Sequence, residues 1–158
     1  MREVDVVGVR VEMPSNTPIV LLRESAGDRY LPIWVGAMEA SAIAVAQQGI
    51  VPPRPLTHDL LKDVLAATGH ELTEVQITEV KDNVFYAVLV LGGGIEVSAR
   101  PSDSIALALR TGSRILCSET VLDEAGLAGP TDQEEEVEKF REFLDQITPE
   151  DFGPAHGG

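Results

Sequence analysis

The sequence predicts an α+β fold: one mixed, barrel-like sheet with helices packed on it, followed by a separate C-terminal helix. Three observations predict it. Strand-like runs come in groups of three ahead of helical runs, which separates strands from helices along the chain. That order occurs twice: shifting the first half by 64 positions lays Leu31, Ile33 and Val35 over Ile95, Val97 and Ala99, and Glu39, Ala42 and Ala44 over Asp103, Ala106 and Ala108. The 158 residues, 44% hydrophobic and 24% charged, suit one globular domain with an appendage.

The elements follow in order. Alternating residues over Val4–Met13, Ile19–Glu24 and Arg29–Val35, punctuated by "PSNTP" and "SAGD", predict a three-strand meander. "MEASAIAVAQQG" is Ala-rich and ends in Gly49, which predicts a buried helix. "VPPRP" is a stiff linker. Leu60, Leu61, Val64, Leu65 and Thr68 then mark the apolar face of a second helix that stops at Gly69.

The pattern restarts with strands at Glu71–Val80, Val84–Leu91 and Ile95–Ala99, the last two joined by "GGG". Pro101–Gly112 is the counterpart helix; "RILCS" and "ETVLDEAGL" add a short strand and a short helix. The organisation is therefore a domain over 1–127, with repeats of about 1–69 and 70–127, and an acidic linker, helix and disordered tail over 128–158. Val137, Phe140, Leu144 and Ile147 give that last helix an apolar stripe suited to docking on the body or on a neighbouring copy.

Charge is uneven. Residues 1–117 carry 14 acids and 10 bases, whereas residues 118–158 carry 12 acids and 2 bases. A global basic footprint for nucleic acid is absent, so any such binding needs a local basic patch or bound cations. No apolar run is long enough for a membrane span, and no secretory leader is expected at the N-terminus. Cys117 is the only cysteine. It excludes an internal disulfide and fits a reducing cytoplasm.

Two stretches carry candidate chemistry. In "RPLTHDLL", Thr57 is able to cap the helix and Asp59 to compensate its dipole, with Arg54 and His58 as ordinary surface residues. The same residues also suit a site: a helix N-terminus and an arginine bind anions, and the positive helix end favours a neutral imidazole able to act as base or ligand. In "SARPSDS", Pro101 suits the first helical position and Ser102 a cap, while Arg100 and Asp103 are the members with functional potential. Glu39 is the repeat partner of Asp103. Both readings stay open on spacing alone. "GGG" lacks the residues of a phosphate loop, and no Zn or serine-hydrolase motif occurs.

Together, "LPIWVGAMEASAIA", "PPRPLTHDLL", "VFYAVLVL" and "ARPSDSIALALR" resemble the bifunctional nuclease domain family over most of residues 1–127. The acidic C-terminal helix is similar to the extension of actinobacterial members. The resemblance implies a duplicated three-strand, two-helix unit, homo-oligomers, and nuclease activity on DNA and RNA. It carries over Arg54, Thr57, His58 and Asp59 from "PRPLTHD", Glu39 from "GxxEA", and Arg100, Ser102 and Asp103 from "RPSD". Many relatives have an acid where this chain has Ser98.

The resulting expectation is a phosphodiesterase assisted by Mg²⁺ or Mn²⁺ and needing no organic cofactor. Glu39, Asp59 and Asp103 are its expected metal ligands. His58 activates water, and Arg54, Thr57, Arg100 and Ser102 hold phosphate. On this reading Asp59→Ala abolishes cleavage and leaves the fold unchanged. The rival expectation is a non-catalytic oligomeric binding or regulatory protein whose helix N-termini and arginines take an anionic ligand or a protein partner.

Overall fold

A computed structural model describes residues 1–129. Strand β1 (Arg2–Glu12), β2 (Thr17–Glu24) and β3 (Arg29–Trp34) form an antiparallel meander, followed by helices α1 (Ala37–Gln47) and α2 (Thr57–Ala67). The second half contributes β4 (Leu72–Lys81), β5 (Val84–Leu91), β6 (Ile95–Ala99) and helix α3 (Pro101–Thr111). It ends in β7 (Arg114–Cys117), helix α4 (Glu119–Ala125) and a two-residue β8 (Leu127–Ala128). The expected appendage from residue 130 onward lies outside the described residues.

Among the described residues, the eight strands join one sheet in the order β6-β5-β4-β7-β1-β2-β3-β8. Strand β7 joins the two meanders. It runs parallel to β4, with Val75 opposite Ile115, and antiparallel to β1, with Val4 opposite Ile115. The remaining pairings are antiparallel, so the sheet is mixed. The expected barrel is not closed by hydrogen bonding: β6 and β8 are the two ends of the order. The seven-residue α4 touches both β3 and β4.

The core forms where β-branched and leucine side chains of the sheet meet α3. Ile105, Ala106, Leu107 and Ala108 are buried between α1, α2 and strands β4 and β5. Burial of Ile105 and Leu107 contributes about 1.5–3 kcal/mol each. Pro101 opens α3 at a position that has no helical N–H to lose, and Ser104 Oγ donates back to the Arg100 carbonyl at 2.8 Å. The helix ends at Gly112, whose φ of 72° is the left-handed conformation that glycine adopts without strain.

Several local expectations change. Thr57 does not cap α2: Leu56 holds the cap position, and its N–H donates instead to Asp59 Oδ2 at 3.0 Å. Ser102 does not cap α3 either, because Arg100 is the cap residue and Ser102 lies buried one turn position inside. Helix α1 buries only Ala40 and Ile43. Of the apolar face expected on α2, Leu65 packs on the core, while Leu60, Leu61 and Val64 stay exposed. The reason is position: the main support of α2 is α3, not the sheet.

A second charged cluster fastens β3 to α4. Buried Glu24 accepts from Arg29 Nε at 3.1 Å and Nη2 at 3.0 Å, and Arg29 reaches Glu119 at 2.9 Å and Asp123 at 2.8 Å. Among the described residues, no helix is long and apolar enough to cross a membrane.

Candidate active site

A trough of about 1430 Å³ runs between the N-terminal ends of α1, α2 and α3 and the outer strands β5 and β6. Its polar side is built from residues of both halves. His58 comes from the first turn of α2, Asp103 from the first turn of α3, and Glu39 from the first turn of α1. Asp103 and Glu39 are each the third residue of an eleven-residue helix.

The contacts are specific. His58 Nε2 lies 2.9 Å from Asp103 Oδ1. The other carboxylate oxygen, Oδ2, accepts from Arg100 Nε at 2.9 Å. Arg100 Nη1 also reaches Glu39 Oε1 at 3.5 Å. The His58 side chain is 13% exposed and that of Arg100 65% exposed, so the imidazole is held while the guanidinium stays accessible. Burial raises the Asp103 pKa, but hydrogen bonds from His58 and Arg100 outweigh it and leave the carboxyl below its ordinary range. Asp103 is therefore an anion bridging the His58 imidazole and the Arg100 guanidinium.

Asp59 is placed elsewhere. Its Oδ1 accepts from Arg110 Nε at 2.8 Å, and Arg110 Nη1 donates to the Ala106 carbonyl at 2.8 Å. The Arg110 side chain is 5% exposed. Burial pushes the Asp59 pKa up, and the bonds from Arg110 and the Leu56 N–H push it further down. His58 and Asp59, adjacent in sequence and about 100° apart around α2, thus bond to different turns of α3. Arg110 was not foreseen as a member of this region. Its only sequence signal is a position two turns after Asp103 on the same helix.

The other expected residues divide. Thr57 lines the trough and is exposed. Arg54 is exposed on the linker before α2 and pairs with no acid among the described residues. Ser102 is buried, out of reach of a phosphate in the trough. Ser98 is exposed and lines the trough.

The three carboxylates expected to share a cation do not converge. Asp59 belongs to Arg110, whereas Glu39 and Asp103 belong to Arg100. Among the described residues, no group of three or more His, Cys, Asp or Glu side chains is arranged to hold a metal ion. Glu39 and Asp103 remain as a two-carboxylate set. That donor number fits Mg²⁺, which commonly takes one or two carboxylates and completes its shell with water and substrate phosphate.

The model of the bifunctional nuclease domain matches residues 20–129. This chain belongs to the bifunctional nuclease domain family. The match spans α1 to α4 and so includes every residue of the trough described above. An uncharacterised protein of Mycobacterium tuberculosis strain H37Rv is 56% identical over 161 residues, covering 96% of this chain and 98% of that protein. Bifunctional nuclease 1 of Oryza sativa subsp. japonica is 31% identical over 98 residues, 58% of this chain and 30% of that protein. Bifunctional nuclease 2 of Arabidopsis thaliana is 28% identical over 107 residues, covering 62% and 32%. The shared part is about a third of each plant protein.

Proposed function

We propose that this bifunctional nuclease family member hydrolyses phosphodiester bonds of DNA or RNA in the trough, with His58 as general base, Asp103 as its positioning residue and Arg100 as phosphate ligand. The observation that carries the reading is the bond from Asp103 to both His58 and Arg100. The ionised carboxylate accepts from Nε2–H, which leaves Nδ1 with its lone pair. Nδ1 takes a proton from water, the water oxygen attacks phosphorus, and the P–O bond to the departing strand breaks. The departing oxygen regains a proton from the imidazolium or from solvent.

Arg100 is suited to the charge that develops on the phosphoryl oxygens, because its guanidinium is a planar set of donors and its side chain is 65% exposed. Arg54, exposed on the linker next to the trough-lining Pro55, is assigned a second phosphate contact. A Mg²⁺ or Mn²⁺ ion brought in with substrate would be held by Glu39 and Asp103 and would polarise a phosphoryl oxygen. Asp59 has a supporting role through Arg110.

The matching third positions of α1 and α3 support the further reading that the two halves are one duplicated unit. Assembly into homo-oligomers is supported by β6, an edge strand whose residues Ile95 and Val97 remain more than 40% exposed. The buried free Cys117 supports a reducing, cytoplasmic setting.

The test is a cleavage time course on labelled DNA and RNA with Mg²⁺, Mn²⁺ or EDTA, using gel-filtered wild type and His58→Ala. Cleavage that follows the protein peak and disappears in the folded variant supports the reading. Equal cleavage by both proteins refutes it. Binding in EDTA with no cleavage under any condition assigns the trough to non-catalytic anion recognition instead.

A further inference from the structure

Resting on the nuclease reading, we infer that the trough takes single-stranded nucleic acid and that Tyr86 is a stacking platform for an unpaired base. Beside the polar cluster, the lining includes a set of apolar and aromatic side chains: Met38 from α1, Leu60 and Leu61 from α2, Phe85 and Tyr86 from β5, and Val97 from β6. The Tyr86 ring is not core: the residue is 43% exposed. The volume of about 1430 Å³ exceeds the about 300–1,000 Å³ typical of small-molecule clefts. It therefore fits a segment of polymer better than a single small ligand.

The chemistry of these walls selects the strand form. A duplex turns its phosphates outward and hides its base faces in the stack. Against this trough it would set phosphates on leucine, valine and methionine, and leave Tyr86 without a partner. An unpaired strand reverses that arrangement. Its bases meet the apolar wall and the aromatic ring, an interaction that tolerates any base sequence. One phosphate is left at Arg100. The charge balance agrees. Duplex affinity depends on neutralising a run of phosphates, and residues 1–117 carry more acids than bases. A strand held mainly by stacking needs few such contacts.

The experiment compares one labelled oligonucleotide as a single strand and as a blunt duplex, with wild type, Tyr86→Ala and Tyr86→Phe. Oligomeric mass is measured in parallel by sedimentation. The expected result is cleavage of the single strand at least about tenfold faster than the duplex. Tyr86→Ala raises KM for the single strand by about tenfold and Tyr86→Phe restores it, the loss falling on KM rather than kcat. Equal or faster cleavage of the duplex overturns the inference and leaves the nuclease reading standing, as does an unchanged KM in Tyr86→Ala. A changed mass in Tyr86→Ala also overturns it, by assigning the trough wall to contacts between copies. No cleavage of either form by wild type sinks the nuclease reading itself, and this inference with it.

Discussion

His58 and Asp103, on separate helices from the two halves of the chain, meet at 2.9 Å between Nε2 and Oδ1. The pair makes the trough a composite of both halves, with neither half holding a complete cluster. It also fixes which ring nitrogen faces the carboxylate, which is what a positioned base requires.

Replacing His58 by alanine therefore lowers the cleavage rate by about 10²–10⁴-fold, the range for loss of a general base. Asp103→Asn loses about 10²-fold through misplacement of the imidazole, and Asp103→Glu recovers part of it. Single-turnover rates on proteins with matching circular dichroism check this. A folded His58→Ala with wild-type rate would remove the pair from the chemistry.

Asp59→Ala acts on stability first. It strips the counter-charge from Arg110, whose side chain is 5% exposed, and the acceptor from the Leu56 N–H. Breaking a fully buried pair costs about 3–5 kcal/mol; with the Asp59 side chain 24% exposed, roughly 2–3 kcal/mol is expected. Urea unfolding measures it as a lower midpoint at constant slope. An unchanged midpoint together with lost cleavage would return Asp59 to the role expected from its motif.

Acid weakens the fold through the paired carboxylates. Glu24 is held below its ordinary 4.5, chiefly by the Arg29 hydrogen bond. Asp59 and Asp103 lie below 3.8 because their hydrogen bonds outweigh their burial. A depressed folded pKa gives stability that is complete above the unfolded value and is lost as pH falls through the folded one. Melting temperature should thus hold from neutrality to about pH 5 and fall below it. The relief of net negative charge on acidification acts in the other direction, so the gap between wild type and Asp59→Asn is the quantity to follow. That gap should shrink below about pH 4; a gap independent of pH contradicts the pairing.

Cys117 should be inert in the folded protein. Burial pushes its thiol up to about 12, and the thiolate is the reactive form. Ellman's reagent at about pH 8 should label it only after unfolding. Rapid labelling of native protein would show that β7 opens readily.

Much of the fold was legible because strand alternation and glycine or proline punctuation are local signals. Val84–Leu91 and Ile95–Ala99 have the bounds their pattern predicts, and α2 begins at Thr57 as expected. The motif residues His58, Arg100, Asp103 and Glu39, far apart in sequence, share one cluster. What the sequence did not reveal depends on long-range placement. Asp59 looked equivalent to Asp103, yet a rotation of about 100° from His58 around α2 turns it to Arg110. Ser102 looked accessible at a helix start, but α3 is the most buried helix and takes Ser102 inside with it. Periodicity gave α2 an apolar face but not what lies against it; Leu60 and Leu61 line the trough.

The position of β7 carries a consequence for synthesis. This strand is the bridge between β1 and β4, and its Cys117 sits opposite Arg2 in one direction and Ile77 in the other. A nascent chain that has emerged only to Gly112 can form both meanders but leaves β1 and β4 as bare edges. Four residues made late, Arg114 to Cys117, then act as a latch between β1 and β4. Vectorial folding on the ribosome therefore keeps the N-terminal half waiting, with its edge exposed to wrong partners, until the second half is nearly complete.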